Sequence, residues 1–362
     1  MNNAFLLAEK LYQTHSLSTE EYETLIKERT PETARYLTEK ADEIRRKFYG
    51  NQVFVRGLIE ISNICKNDCY YCGIRGSNAN CQRYRLTPQE IHECCKEGYA
   101  LGFRTFVMQG GEDGFFTDEI LCDLICEIKK IYPDCAVTLS LGERSKDSYE
   151  KLYNAGADRY LLRHEAVDEE LYSKLHPDKM QLENRLQCVR NLKEIGFQTG
   201  CGFMVGAPCQ NASHIAKDLK FIESFKPDMC GIGPFVPHKD TIFKSFEQGS
   251  AELTIYLLSI IRLICPNVLL PATTALGTVD PTGREKGILA GANVVMPNLS
   301  PETVRKKYDL YDNKISTGAE SAQCLKNLEE RMESIGFKVV YKRGDVIKLS
   351  DGEEKTDPKK GA

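Results

Sequence analysis

Short apolar runs alternate with amphipathic segments along most of this chain of 362 residues. Strands that alternate with helices form parallel sheets, because each parallel connection needs a crossover. About eight βα units over about 250 residues is the number expected for a closed barrel. The alternation therefore predicts an α/β fold, a complete (β/α)8 TIM barrel. The eight strand-like runs are 54–62, 105–111, 136–142, 159–165, 198–206, 229–237, 268–276 and 292–298.

A doubly wound open sheet is the alternative fold for such an alternation. It normally has fewer strands and a glycine-rich turn after its first strand, whereas the corresponding turn here is rich in cysteine. The residues before the first strand carry helix signals, such as the capping-box pair Ser18 and Glu21. The predicted parts are an N-terminal helical layer (1–50), the barrel (51–300) and a C-terminal extension with a frayed polar tail (301–362).

The composition narrows the class of protein. A formal net charge of −4 argues against a sequence-independent nucleic-acid binder, which has a basic excess. No apolar run approaches the length of a membrane span, and the N-terminus has no signal-peptide cleavage site. The chain has 15 cysteines, and an odd number in a long chain without a signal peptide does not indicate a disulfide framework. We therefore expect a cytoplasmic protein in which most cysteines pack as small hydrophobes.

Three cysteines depart from that expectation, and they directly follow the first predicted strand. Cys65, Cys69 and Cys72 lie in one loop at CxxxCxxC spacing, and barrel enzymes carry their chemistry at the carboxyl ends of the strands. Zinc sites normally have four ligands. Three thiolates suit a cubane iron–sulfur cluster in which one iron stays open to a small molecule. The loop therefore predicts a 4Fe–4S cluster, with a zinc site completed by Cys81 as the alternative.

This loop resembles that of the radical S-adenosylmethionine (SAM) superfamily. Tyr71 occupies the family's aromatic position before the third cysteine, and Gly110, Gly111 and Glu112 match its GGE motif at the end of the second predicted strand. In that family the open iron binds SAM, and one electron cleaves SAM to methionine and a 5′-deoxyadenosyl radical. The resemblance implies that Tyr71 lies near the adenine and that carbonyls of the GGE motif receive the SAM amino group. It also implies one 4Fe–4S cluster and SAM as cofactors, with no catalytic acid or base.

Further blocks resemble a narrower family, the HydE maturases of iron–iron hydrogenase, which are relatives of biotin synthase and methylornithine synthase. The resemblance implies that Ser140, Glu165 and Arg185 contact SAM. The alternative for Glu165 and Arg185 is an ordinary ion pair at the barrel mouth. It implies an enzyme of H-cluster assembly that acts on an iron complex bearing carbon monoxide, cyanide and cysteine. The implied partners are a HydG-type maturase, a HydF-type scaffold and reduced ferredoxin or flavodoxin. The blocks are LSLGE (139–143), GADRYLLRHE (156–165), GIGPFVPHKDT (231–241), PATTALGT (271–278) and GANVVMPN (291–298).

Several polar residues interrupt the apolar strands. Barrel interiors are normally filled by branched apolar side chains, so these residues predict a cavity for a polar ligand. Two arginines without an obvious carboxylate neighbour favour an anion, and the HydE resemblance implies that the cavity holds the substrate. The alternative for each residue is a hydrogen bond to backbone at a strand end. Tyr308 and Tyr311 match a capping pair of the family, with surface packing as the alternative. The strand residues are Arg56, Gln109, Thr138, Arg163, Thr273 and Thr274.

Other functions remain open at this stage. A radical SAM mutase or sulfur-inserting enzyme of the biotin synthase or methylornithine synthase group is one, and a non-catalytic iron–sulfur carrier is another. Some HydE relatives carry a second cluster near the C-terminus, held by three cysteines. Here Ser316, Cys324 and Asn327 occupy those positions, and a single thiolate does not hold a cluster in that way. We therefore predict one cluster only.

Overall fold

The computed structural model describes residues 3–315 and 321–348. The helices are α1 (Asn3–Thr14), α2 (Thr19–Lys27), α3 (Pro31–Tyr49), α4 (Pro88–Ala100), α5 (Asp118–Ile131), α6 (Lys146–Asn154), α7 (Glu169–Leu175), α8 (Leu182–Ile195), α9 (Ala212–Phe225), α10 (Ala251–Ile264), α11 (Thr274–Val279), α12 (Gly283–Leu289), α13 (Glu302–Arg305) and α14 (Leu325–Ser334). The strands are β1 (Gln52–Val55), β2 (Gly57–Ser62), β3 (Thr105–Gly110), β4 (Ala136–Ser140), β5 (Arg159–Leu161), β6 (Gln198–Cys201), β7 (Met204–Val205), β8 (Met229–Cys230), β9 (Gly233–Pro234), β10 (Val294–Val295) and β11 (Lys338–Val340).

Local sequence signals fix where the helices begin. The predicted capping box closes on α2, with the Ser18 side chain accepting from the Glu21 backbone and the Glu21 carboxylate accepting from Ser18. Thr87 caps α4 in the same way, and Pro88 occupies its first turn. The N-terminal helices pack on the outside of the later ones, α2 against α9 and α3 against α10. No helix within residues 3–315 and 321–348 combines the length and apolar character needed to cross a bilayer.

The main sheet is parallel, with strand order β2-β3-β4-β5-β6-β8. In its register Val107 lies between Leu58 and Thr138. The first predicted strand is split into β1 and β2, and β1 pairs in parallel with β10 and β11. The predicted α/β fold with a parallel sheet is confirmed. Every strand in this sheet ends on the same side, so the loops that follow the strands meet there.

The seventh predicted run, 268–276, is wrong as a strand. It contributes only isolated parallel bridges, Met229 with Leu269 and Pro271 with Val294. Proline has no backbone N–H to donate to a ladder. The end of the run begins a helix instead, because Thr273 caps α11 by accepting from the backbone of Leu276.

Residues 343–346, here called the floor segment, lie across the amino ends of the strands. The carbonyl of Arg343 accepts from Thr105 Oγ1 at 2.9 Å, and Asp345 Oδ1 pairs with Arg159 Nη2 at 2.6 Å. The Val346 backbone donates to Gln198 at 3.1 Å. Thr105, Arg159 and Gln198 are the first residues of β3, β5 and β6. The floor segment therefore covers the end of the sheet opposite the cysteine loop, whereas the polar tail from residue 349 onward lies outside the described residues.

Candidate active site

The cysteine loop follows β2, at the carboxyl ends of the strands. All three cysteines are partly buried and free of disulfides. Cys65 Sγ accepts from the backbone N–H groups of Asn67 and Glu112, both at 3.4 Å. Burial raises the pKa of the Cys69 thiol to about 12, although Arg185 opposes this effect. Backbone donors aimed at sulfur suit a thiolate that is bound to iron, since a coordinating metal removes the thiol proton.

The spacing of the sulfur atoms separates a cluster from a single zinc ion. A tetrahedral ion with bonds of about 2.3 Å needs sulfur atoms only about 3.8 Å apart. Within the described residues, the one set of three ligand atoms that lie within 4.8 Å of one another is His238, Asp309 and Asp312, and it contains no cysteine. The three sulfur atoms of the cysteine loop are therefore not gathered as closely as the ligands of one zinc ion, which agrees with ligands to separate irons of a cubane. Cys81 is instead engaged by Asn63 Nδ2 at 3.5 Å.

The His238 group is an ion-paired cluster rather than a metal site. His238 Nδ1 accepts from the backbone of Asp240 at 3.1 Å, so the ring proton is carried on Nε2. Nε2 faces Asp309 at 3.4 Å and Asp312 at 3.9 Å. A histidine that binds a metal through Nε2 needs its other ring N–H to donate, which is the reverse of this arrangement.

The glycine motif packs directly on the cysteine loop. A Cβ at Gly111 would lie 2.3 Å from the Ile64 carbonyl oxygen and 2.8 Å from Cys65 Cβ. The Glu112 carboxylate pairs with Lys66 at 3.1 Å and accepts from the backbone of Glu143 at 2.9 Å. Glycine is required at this place because the two backbones touch. The Glu112 side chain thus ties together the loops after β2, β3 and β4.

Tyr71 is held by a histidine that the sequence did not single out. Tyr71 Oη lies 3.2 Å from His176 Nε2, and the two rings meet edge to face. The His176 ring stacks on Tyr172 with centroids 4.0 Å apart. Burial lowers the pKa of His176 to about 3, so its ring is neutral. A lone histidine after a helix carries no sequence signal for this role.

Glu165 adopts a backbone conformation that is rare for a residue with a side chain. Its φ is 65°, and its N–H donates to the Gly202 carbonyl at 3.1 Å. Its Oε2 lies 2.9 Å from Arg163 Nη2, yet neither atom has hydrogen-bond geometry to any described residue, and both are buried. Strained residues with unsatisfied polar atoms cluster at binding sites. The Glu165 carboxylate therefore keeps hydrogen-bonding capacity that no described residue uses.

Arg185 lies in the first turn of α8 and points toward the cysteine loop. Its Nε is 2.7 Å from Glu143 Oε1, and its side chain is 9% exposed. Burial opposes the charged form, but the Glu143 carboxylate outweighs it and raises the pKa of Arg185. Glu143 also accepts from Asn184 Nδ2. The sequence placed Glu143 in the LSLGE block without assigning it a role. Ser140, in the same block, ends β4 beside Gln109.

The predicted interior residues lie at two depths. Gln109 Nε2 donates to Tyr308 Oη at 3.4 Å, and Tyr308 is buried. Deeper in the molecule, Arg56 lies between β1 and β2 and donates to Met229 Sδ at 3.1 Å and to the Gly344 carbonyl at 3.4 Å. Its buried Nε atom makes no hydrogen bond within the described part of the chain. The pair of Gln109 and Tyr308 thus lies on the side of the cysteine loop, whereas Arg56 lies at the floor segment.

The remaining predicted residues differ in how they are engaged. The buried hydroxyl of Thr138, on β4, has no hydrogen-bond partner among the described residues. Thr273 is used as a helix cap, and Thr274 Oγ1 accepts from Arg284 at 3.5 Å. Tyr311 is half-buried in the loop after α13. Of these three threonines, Thr138 is therefore the one whose hydroxyl has no partner among the described residues.

Glu60 is a further buried group that the sequence analysis did not single out. Glu60 on β2 is fully buried, accepts from Asn298 Nδ2 at 2.9 Å and pairs with Lys314. In the sequence, the signal that marks Glu60 is a glutamate within an apolar run.

The residues considered for a second cluster lie near the C-terminus. Of these, Ser316 lies outside the described residues. Cys324 and Asn327 lie at the start of α14, with Cys324 as its N-cap.

Comparison with known proteins defines the class. The profile of the radical SAM superfamily matches residues 59–222, which include the cysteine loop and the GGE motif. The solved structure of methylornithine synthase (PylB) superposes with a TM-score of 0.79 at 26% identity, covering 92% of this chain and 97% of that one. The fold and the site therefore define a radical SAM enzyme, whose cofactors are a 4Fe–4S cluster and SAM.

A relative of higher sequence identity defines the family within that class. The FeFe hydrogenase maturase subunit HydE of Thermotoga maritima is 45% identical over 298 residues, covering 82% of this chain and 85% of that protein. The 3-methylornithine synthase of Methanosarcina acetivorans is 29% identical and covers 91% of this chain and 92% of that protein. The chain belongs to the HydE family of the radical SAM superfamily.

Proposed function

We propose that this chain is a maturase of FeFe hydrogenase that cleaves SAM reductively and acts on an iron–carbonyl–cyanide–cysteine precursor. The observation that carries the proposal is the identity of 45% with a HydE protein over 82% of the chain, together with the three-cysteine loop. The HydG maturase shares the fold at a TM-score of 0.77, and at 20% identity this likeness supports the fold alone. We infer the cytoplasmic setting and the partners that the sequence resemblance implies: a HydG-type maturase, a HydF-type scaffold and a reduced ferredoxin or flavodoxin.

We infer that the strands close into a full barrel over residues 51–300, between the helical layer and the C-terminal extension. The bridge between Met229 and Leu269, the bridge between Pro271 and Val294 and the pairing of β10 with β1 support a continuous ring. In such a ring the cysteine loop covers one end and the floor segment the other. A closed interior of this kind excludes water from a radical, which is the main contribution that the protein scaffold makes.

The residues at the carboxyl ends of the strands, around the cysteine loop, are here called the mouth: Cys65, Cys69, Cys72, Glu165 and Arg185. Their proposed roles follow from their chemistry. When bound, the cluster and SAM supply the radical chemistry. Cys65, Cys69 and Cys72 would hold the cluster. The Glu165 carboxylate would accept from the ammonium or ribose hydroxyls of SAM, and the Arg185 guanidinium would hold the SAM carboxylate as a bidentate donor. Neither residue needs to move a proton.

Other residues would position the cofactor or hold the substrate. The backbone at Gly110 and Gly111 would receive the SAM amino group, Tyr71 would lie along the adenine, and Ser140 would add a hydroxyl contact. We assign the precursor to the interior between Thr138 and Arg56. The buried cation and the unsatisfied hydroxyl support this assignment, because a negatively charged guest would satisfy both.

The test is maturation of an apo-hydrogenase in a defined anaerobic mixture. Reconstituted protein, SAM, reductant, HydG and HydF should activate the hydrogenase, and omission of this chain or of SAM should abolish activation. SAM cleavage without any activation would contradict the proposed function. An absence of SAM cleavage would instead favour an iron–sulfur carrier.

A mutase like methylornithine synthase is the second candidate, favoured by the TM-score of 0.79 with that enzyme. Its signature would be 3-methylornithine formed by the reconstituted protein in an anaerobic cell extract that contains SAM. The maturase proposal predicts that none is formed.

A further inference from the structure

A surface cavity of about 490 Å³ opens beside the cysteine loop, between residues 75–80 and 239–244. One wall follows the third cysteine directly. The Arg75 N–H donates to the Cys72 carbonyl at 3.2 Å, and Asn78 Nδ2 donates to the Gly73 carbonyl at 2.7 Å. Only two residues, Gly73 and Ile74, therefore separate this surface from the proposed cluster ligand Cys72.

The two walls are tied to each other, so the surface is preformed. Arg75 Nη2 donates to the Asp240 carbonyl at 2.9 Å, and Asn80 Nδ2 donates to Asp240 Oδ1 at 3.0 Å. These contacts join the segment after the cysteine loop to the segment after β9. A preformed surface loses little conformational entropy when a partner binds.

The cavity is positive although the chain is negative. Its lining has three cations (Arg75, Lys239 and Lys244) and one carboxylate (Asp240), which gives +2, against −4 for the whole chain. Asp68 lies 3.5 Å from Arg75 and offsets part of its charge. Lys239 and Lys244 are exposed, and no carboxylate of the described residues pairs with either. The two lysines are therefore available to an acidic partner.

An apolar centre accompanies the lysines. Ile242, between them, is 62% exposed, the largest value for any large apolar side chain among the described residues, and Phe246 is 45% exposed. The Phe246 ring packs on Phe243 with centroids 5.3 Å apart, which holds it in place. Exposed apolar side chains rimmed by charge are typical of protein-docking surfaces.

We propose that this surface, formed by residues 75–80 and 239–246, docks an acidic one-electron carrier protein that reduces the cluster. The inference rests on the proposed function, because reductive cleavage of SAM consumes one electron per turnover and the chain must receive it near the cysteine loop. One electron leaves the reduced carrier and enters the cluster, and no proton or group is transferred. Electrostatic attraction raises the rate of encounter, and Ile242 contributes apolar contact after docking.

The experiment compares two electron sources for one reconstituted holoenzyme. SAM cleavage is measured as 5′-deoxyadenosine formed with dithionite, and separately with an acidic ferredoxin kept reduced enzymatically. The double variant Lys239→Glu, Lys244→Glu should retain the dithionite rate within about twofold. Its KM for ferredoxin should rise about tenfold, and added salt should narrow the difference from the wild type. Ile242→Ser should raise the same KM by a smaller factor and without salt dependence.

The matched control is Lys130→Glu, Lys326→Glu, which makes the same charge change on α5 and α14, away from the cysteine loop. It should leave both electron sources unaffected. An unchanged KM for ferredoxin in the Lys239, Lys244 variant would overturn the proposed docking surface. This holds even if the variant matured hydrogenase poorly, because the surface would then bind a maturation partner rather than the electron carrier. Absence of SAM cleavage with dithionite in the wild type would count against the proposed function instead.

Discussion

The mouth and the floor of the molecule each contain a deeply buried arginine, and the two arginines differ in their partners. At the mouth, Arg185 is compensated by Glu143 at 2.7 Å. At the floor, Arg56 has a thioether and one carbonyl as neighbours, and no carboxylate of the described residues lies within ion-pair distance. Burial lowers the pKa of Arg56 well below its ordinary value. A buried charge without an ion-pair partner is costly, and the Asp345 carboxylate acts on Arg56 only from beyond ion-pair distance. We propose that a guest at the floor brings the remaining negative charge.

Arg262 shows that burial alone does not make an arginine functional. It is fully buried in α10, but its guanidinium donates to the carbonyls of Gly291 at 3.0 Å and Pro266 at 2.9 Å. These contacts join α10 to its neighbours and give Arg262 a structural role. Arg56 has weaker partners, and Arg262 is therefore its natural control.

The largest effect is expected from the cysteine loop, which lies above both arginines. Cys72→Ser should abolish the visible absorption of the cluster and reduce 5′-deoxyadenosine formation to background. Maturation of hydrogenase should be lost with it, because the proposed reaction of the bound precursor needs the radical that SAM cleavage supplies. Cys81→Ser is the control and should retain both activities. Full SAM cleavage by Cys72→Ser would remove the assigned ligand set.

Arg56→Met should separate stability from function. Removal of an uncompensated buried cation should raise the free energy of unfolding by about 1 to 4 kcal/mol, measured by thermal or denaturant unfolding. Loss of a charged contact of about 3 kcal/mol should lower maturation about a hundredfold, with SAM cleavage nearly unchanged. Arg262→Met should destabilise the protein instead, because it leaves buried carbonyls unpaired. If both variants destabilise equally, the contrast between the two arginines is mistaken.

Arg185→Ala tests the mouth. Loss of a bidentate charged contact of about 2 kcal/mol should weaken SAM binding more than about tenfold in an equilibrium binding measurement. Lysine should restore only part of the affinity, because it lacks the planar fork. Glu143→Gln isolates the support that Glu143 gives and should weaken SAM binding less than Arg185→Ala. Wild-type affinity in Arg185→Ala would exclude the arginine from the cofactor site.

Thr138→Val is expected to have the smallest effect. The substitution keeps the shape of the side chain and removes a hydroxyl that has no partner among the described residues. Loss of one neutral hydrogen bond to the guest, about 1 kcal/mol, should lower maturation about fivefold and leave SAM cleavage intact. Thr273→Val is a poor alternative because it also removes the cap of α11. Equal losses of SAM cleavage and maturation would place Thr138 with the cofactor.

The parts predictable from the sequence are those set by local signals. The Ser18 and Glu21 capping box, the order of the central strands and the three-cysteine loop each depend on residues that are close in the chain. The seventh strand failed because Pro271 and Thr273 end the ladder and start a helix within an apolar run. The floor segment was not predictable, since Asp345 meets Arg159 only after the sheet has formed. His176 and Glu143 were missed for the same reason.

The most direct test of the division between mouth and floor is infrared spectroscopy of the carbon monoxide and cyanide ligands on the precursor. The precursor made by HydG is mixed with wild-type protein and with Arg56→Met, and the unbound fraction is removed. We expect one bound complex per wild-type chain, with bands shifted from those in solution, and no complex retained by Arg56→Met after the unbound fraction is removed. Identical bands and stoichiometry in the two proteins would contradict it.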